Sequence, residues 1–311
     1  MTALAAPAVT AAAPSRSGGG SSGIKGANLT WMALPAFAFF LLFGIVPLLG
    51  VLALSFTTWD GIGPITFSGA TSWRTILTDP NLPHTVWVTF LVMALSWIVQ
   101  TPMSILLGTF LAGSQRYRAV LAVLYFVPLL LSSAAIAITF KALVDPNFGM
   151  GAGLHIDALS QDWLGRPVLA MATLIFVVSW QYIPFHSLIY QGGVRQIPAS
   201  LYEAALIDGA GRVKQFFNIT LPQLKYTIIT SSTLMVVGSL TFFDLIFVLT
   251  AGGPGDTTQV LALSMYKTGF QAHLMGPASA IAVILVVVGL VLALLLRRLG
   301  GRGDESQLEG A

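Results

Sequence analysis

YEAALIDGAGRVKQFFNITLPQL, residues 202–224, carries a glutamate, an aspartate, an arginine and a lysine. The whole chain of 311 residues is only 9% charged, so these four are a concentration. The segments on either side are strongly apolar. How this polar insert fits between them decides the fold.

A soluble domain of this length holds its surface in water with about a quarter of its residues charged. Here 15 basic and 12 acidic residues stand in a chain that is 55% hydrophobic, with a mean hydropathy of +0.82. Lipid is therefore the solvent for much of the surface. The formal charge of +3 comes from scattered basic residues and gives no basis for nucleic-acid binding. The absence of cysteine excludes disulfides and thiolate chemistry. Residues 1–29 are rich in Ala, Pro, Ser and Gly without periodicity and read as a disordered tail. They lack the charged n-region ahead of an apolar core that marks a signal peptide. Residues 300–311 read as a second tail.

Between the tails, residues 30–299 hold six runs long and apolar enough to cross a bilayer: 31–56, 86–111, 119–140, 169–190, 226–249 and 278–296. The expected fold is an all-α integral membrane protein of six transmembrane helices. Basic residues set its direction. With the N-terminus inside, the cytoplasmic segments hold Arg16, Lys25, Arg116, Arg118, Arg195, Arg212, Lys214, Lys225, Arg297, Arg298 and Arg302. The other face keeps only Arg74, Lys141, Arg166 and Lys267, an imbalance that puts both termini in the cytoplasm. Pro35, Pro47, Pro102, Pro128 and Pro184 fall in or near the runs. Each interior proline frees a carbonyl that a neighbour or water must satisfy.

The opening segment belongs to a cytoplasmic loop, 192–225, between the fourth and fifth runs. Ser200 and Glu203 have capping-box spacing, which predicts a helix over 201–207. Gly209 and Gly211 then allow a sharp turn, and a second helical stretch is expected to stop near Leu221 and Pro222. The product is a helix–turn–helix projection too polar for lipid. From periodicity alone, a helix lying at the membrane interface is the other reading.

Glu203-Ala204-Ala205, then Gly209, then Ile219, Leu221 and Pro222 match the EAA…G…I-LP pattern in every anchor. Asp208 and Ala210 flank the glycine as they often do there. The loop resembles the EAA loop of the permease subunits of bacterial ATP-binding-cassette (ABC) importers. Outside it, SFTTWD at 55–60, Arg118 with Pro128 and Asp145-Pro146-x-x-Gly149, and TAGGP at 250–254 with Thr258, Tyr266 and Phe270 are similar to the carbohydrate-uptake, MalF-like branch. The resemblance covers residues 31–298. It lacks two N-terminal helices and a large periplasmic domain of the maltose permease.

The resemblance implies the MetI-like type I importer fold and a channel that moves a neutral sugar or oligosaccharide by alternating access. It implies that Ser200, Tyr202, Glu203, Ala204, Ala205, Asp208, Gly209, Ala210, Ile219, Leu221 and Pro222 form a coupling helix and its turn, seated in a groove of a separate ATPase. It further implies a second homologous permease, two copies of the ATPase carrying ATP-Mg, and an extracytoplasmic solute-binding protein, with membrane lipid around the assembly. No cofactor is expected on this chain, and it is not expected to be an enzyme itself. G-x-x-x-x-G-K-[ST] is absent, and the four histidines, His84, His155, His186 and His273, are too scattered for a metal site.

Asp244 is the one acid inside an apolar run. It reads either as a satisfied residue at a helix end or as a group of the solute pathway, because an intramembrane carboxylate is costly and faces a cavity or partner. Gln181 and Tyr182 in the fourth run can offer polar groups to the same cavity. They can equally hold helices together. A secondary transporter would need an inverted repeat and an ion site, and a membrane enzyme convergent acid–base groups. Neither set is evident. An importer of a polyol or a glycerol-phosphate-type solute is the nearer alternative; a phosphorylated polyol would need compensating positive charge, and the lack of it deep in the runs favours a neutral sugar.

Overall fold

The computed structural model describes residues 30–113 and 115–300. The expected tails therefore lie outside the described residues, apart from Gly300. The chain divides into two compact units, residues up to 48 and from 49 onward. The first unit is an apolar helix, α1 (Thr30–Phe40), continued by a π turn (Leu41–Ile45) into α2 (Val46–Leu54), whose later residues belong to the second unit. The π turn explains how Pro47 sits in a helix. Val46 N–H bonds to Leu41, five residues back, so the ladder widens just before the residue that cannot donate.

After α2 the second unit continues with a short antiparallel hairpin, β1 (Thr57–Thr58) with β2 (Thr66–Phe67), in the register Thr57–Phe67 and Thr58–Thr66. Asp60 turns it by accepting the N–H groups of Ile62 at 2.9 Å and Gly63 at 2.7 Å. These two bonds hold its carboxyl below the usual carboxylate range. Helices α3 (Thr71–Leu77), α4 (Leu82–Leu111), α5 (Arg116–Leu130), α6 (Ser133–Leu143), α7 (Met150–Leu154) and α8 (Pro167–Arg195) follow. Then come α9 (Ala199–Ile207), α10 (Arg212–Gln215), a π turn (Phe216–Thr220) and α11 (Leu221–Gln223). The unit closes with α12 (Lys225–Ser239), α13 (Asp244–Leu249), α14 (Leu261–Tyr266), a π turn (Lys267–Gln271) and α15 (Met275–Gly300).

Helices α4 and α8 form the central packed pair. Val88, Val92, Leu174, Val177 and Val178 are buried there, and Ile246 and Leu263 join the same core. Lipid is as apolar as these side chains, so close packing rather than the hydrophobic effect holds them together. Gly108 permits that closeness: a Cβ there would lie 2.6 Å from the Ser187 carbonyl oxygen on α8.

Among the described residues, four stretches are long and apolar enough to cross a membrane as single helices: Ala33–Leu54, Leu82–Leu111, Pro167–Arg195 and Met275–Arg298. The other two expected runs are not continuous helices. The third is α5 and α6, which meet at 94°. Pro128 removes a ladder donor near the end of α5, and Leu131 and Ser132 are both extended, at ψ 146° and 135°. The fifth run stops at Ser239. There the hydroxyls of Ser239 and Thr241 donate to the carbonyls of Val236 at 2.7 Å and Gly238 at 2.8 Å, competing with the helical ladder. Asp244 consequently opens a separate helix of six residues rather than lying inside a long one.

Candidate coupling loop and solute cavity

Pro198 sets the start of the loop. Its ring fixes φ at −57° with ψ at 130°, and Leu201 N–H bonds to its carbonyl at 3.2 Å as α9 begins. This corrects the capping-box expectation. Ser200 lies inside the first turn, the N-cap is Pro198, and no side chain caps the helix. Glu203, exposed on α9, is therefore not spent on reaching back to the backbone.

Gly209 ends the helix. At φ +71° it adopts the left-handed conformation that other residues take at a cost, and space is not the constraint, because a Cβ would meet nothing within 4 Å. The N–H of Ala210 bonds to Ala205 O at 2.8 Å and that of Gly209 to Leu206 O at 3.0 Å. These nested bonds are a Schellman closure, which satisfies two carbonyls of the last turn. Asp208 is the C-cap. Gln215 Nε2 then donates to Ala210 O at 2.8 Å, and the hydroxyls of Tyr202 and Thr220 bond at 2.9 Å, tying α9 to the π turn.

The second helical stretch ends at Gln223, next to the expected stop. Leu221 N–H bonds to Phe216 through the π turn, which takes up Pro222 as the earlier one takes up Pro47. Leu221, half-buried, packs with Phe216 and Val194 against the buried cluster of Ile105, Tyr190 and Leu224, so the loop stands on α4 and α8. Ile219 is half-buried, and Ala204 and Pro222 are exposed.

The outer side of the loop is apolar as well as charged. Ile207 is 87% exposed, Val213 72%, Leu206 65% and Phe217 59%. Sequence reading missed these four. The signal was present: large apolar side chains placed in a segment otherwise too polar for lipid.

The second candidate site is a cavity of about 440 Å³ among α4, α5, α6, α8, α12 and α13. Tyr182 and Asp244, both singled out from sequence, line it together. Tyr182 stacks on Phe242, with ring centroids 5.4 Å apart and planes at 28°. Asp244 is exposed and has no side-chain partner among the described residues. Gln181 is buried, and its Nε2 donates to Ser133 Oγ, a lining residue, at 3.0 Å. Sequence reading missed Gln100, Ser133 and Thr241, which also line the cavity. None of the lining residues is Lys or Arg. Among the described residues no group of His, Cys, Asp and Glu could hold a metal ion.

Residues 101–302 match the family model described as binding-protein-dependent transport system inner membrane component. The chain belongs to this family. It is 31% identical to a probable ABC transporter permease protein, YurN, of Bacillus subtilis, over 86% of this chain and 94% of that one. It is equally 31% identical to the trehalose/maltose transport system permease protein MalF of Thermococcus litoralis, over 86% and 92%. The multiple sugar-binding transport system permease protein MsmF of Streptococcus mutans is 31% identical over 78% of this chain and 85% of its own length. A chain of a bacterial alginate ABC transporter, solved with an alginate pentasaccharide-bound periplasmic protein, shares the fold. Its TM-score is 0.75 at 24% identity, covering 88% of this chain and 94% of that one. The protein is thus a helical, multi-pass membrane permease of the ABC transporter type, a transport component.

Proposed function

We propose that this chain is one of two membrane subunits of an ATP-driven importer for a neutral sugar or oligosaccharide. The observation that carries the reading is the loop of residues 199–224. It is closed by its own hydrogen bonds, carries the full EAA…G…I-LP pattern, and presents exposed Leu206, Ile207, Val213 and Phe217 beside Glu203, Arg212 and Lys214. An apolar crest with a charged rim suits a protein groove better than water or lipid. Its occupant is the ATPase subunit, which binds ATP-Mg, and this chain transmits the stroke.

Six segments cross the membrane in this reading, two of them bent or broken, with both termini in the cytoplasm. A second permease completes the pathway, two ATPases dock below, and a solute-binding protein delivers from outside. The cavity suits a neutral solute, since its lining holds one carboxylate and no cation.

The test is purification of the complex through a tag on this chain. A second permease and two ATPase copies are expected with it, and sugar-loaded binding protein should stimulate ATP hydrolysis. Retention of no ATPase, or stimulation by amino acids alone, contradicts the reading. Reporter fusions at positions 65, 115, 155, 210, 260 and 305 should alternate outside and inside, and an external 210 removes the docking site.

A further inference from the structure

Gln100 lies in α4 with none of its surface exposed, and neither its Oε1 nor its Nε2 has a hydrogen-bond partner among the described residues. It nevertheless lines the cavity that holds Tyr182 and Asp244. Buried amides are paired as a rule, because removing water from a donor and an acceptor at once is costly and lipid replaces neither bond. Two polar pairs around the cavity are already engaged. His186 Nδ1 and Ser231 Oγ bond at 2.9 Å, and Gln181 Nε2 has Ser133. Gln181 Oε1 is also left open.

We propose that Gln100 is a specificity-determining residue of the solute path, its amide reading two adjacent hydroxyls of a sugar. The inference rests on the cavity being that path. A primary amide presents N–H donors and a carbonyl acceptor side by side. A vicinal diol offers the matching pair, one oxygen accepting and the neighbouring hydroxyl donating. A carboxylate or phosphate offers only acceptors, and an ammonium only donors. The stacked Tyr182–Phe242 pair adds a flat apolar wall suited to the C–H face of a sugar ring.

Gln100 has no exposed surface in this state, so the contact forms in another state of the transport cycle. The solute then binds that state better, because it pairs an amide that is otherwise empty. Differential affinity of this kind is what lets a ligand shift a conformational equilibrium.

The experiment uses cells carrying the complete transporter, with this chain as wild type or Gln100→Met. Labelled maltose, trehalose, cellobiose and raffinose are the probes, followed by mono-deoxy analogues of whichever enters. Rates are read at saturating sugar, where capture by the binding protein is not limiting. Gln100→Met removes both open polar atoms at similar volume and should accumulate in the membrane. Its maximal uptake should fall about tenfold. Wild type should also prefer the parent sugar over one deoxy analogue by about tenfold, and the variant should lose that preference.

Unchanged uptake with an unchanged deoxy preference overturns the inference and leaves the amide as a holder of water. Entry of none of the four sugars through wild type rejects the sugar reading itself, and the inference with it. Should Gln100→Met fail to accumulate, Gln100→Cys is the only thiol in the chain. Transported sugar should slow its labelling by a small methanethiosulfonate, and equal rates with and without sugar reject the contact.

Discussion

The loop of residues 199–224 is closed by bonds between its own residues: Ala210 to Ala205, Gln215 to Ala210, Tyr202 to Thr220. The cavity gathers Gln100, Ser133, Tyr182, Thr241 and Asp244 from parts of the chain up to 144 residues apart, and both polar side-chain atoms of Gln100 lack a partner among the described residues. One region is locally self-sufficient and turns an apolar crest outward. The other is assembled from separate stretches of the chain and turns polar groups inward. A coupling loop and a solute chamber, as proposed, place different demands on a sequence, and substitutions in the two should fail differently.

The largest effect is expected from Gly209→Pro. Proline cannot take φ +71°, and it deletes the N–H that bonds to Leu206. Solute-stimulated ATP hydrolysis and uptake in a reconstituted complex should fall by about two orders of magnitude while membrane insertion is unchanged. Wild-type stimulation would make the loop a spectator.

Ile207→Asp comes next. It places a charge on the most exposed apolar side chain of the loop, which the proposed docking would bury. Losing that burial is worth about 1.5–3 kcal/mol, so ATPase retention on gel filtration should drop tenfold or more. Asp244→Asn should act on the chamber alone, lowering maximal uptake several-fold, roughly 1 kcal/mol, with ATPase retention untouched. Loss of the ATPase in that variant would erase the distinction between loop and chamber.

The smallest effect separates two accounts of the loop's start. A capping box at Ser200 would make Ser200→Ala cost about 0.5–2 kcal/mol. With Pro198 as the N-cap, the change should stay within about 0.5 kcal/mol, measured by thermal unfolding of the solubilised complex.

The same contrast explains what could be read from the residues alone. Gly209 was legible because a left-handed helix end asks for glycine within one turn of chain. The capping box misled because Pro198, two residues earlier, fixes the helix entry more strongly than Ser200 can. Hydropathy marked the lipid-facing segments but not their continuity. The bend after Pro128 and the break at residues 240–243 depend on backbone competition that average apolarity does not register. Asp244 and Tyr182 stood out as polar groups in apolar runs. Gln100 stood in such a run too, and only the packing of α4 against α8 shows its amide to be unpaired.

The central claim is that residues 199–224 seat in an ATPase. It is tested most directly by a photo-cross-linker on Ile207→Cys, a unique thiol in this chain. Irradiation of the intact complex should give one product with the mass of this chain plus the ATPase subunit, lost when the ATPase is stripped away. A cross-link only to lipid, or labelling of the same cysteine by a membrane-impermeant maleimide added outside intact cells, would contradict it.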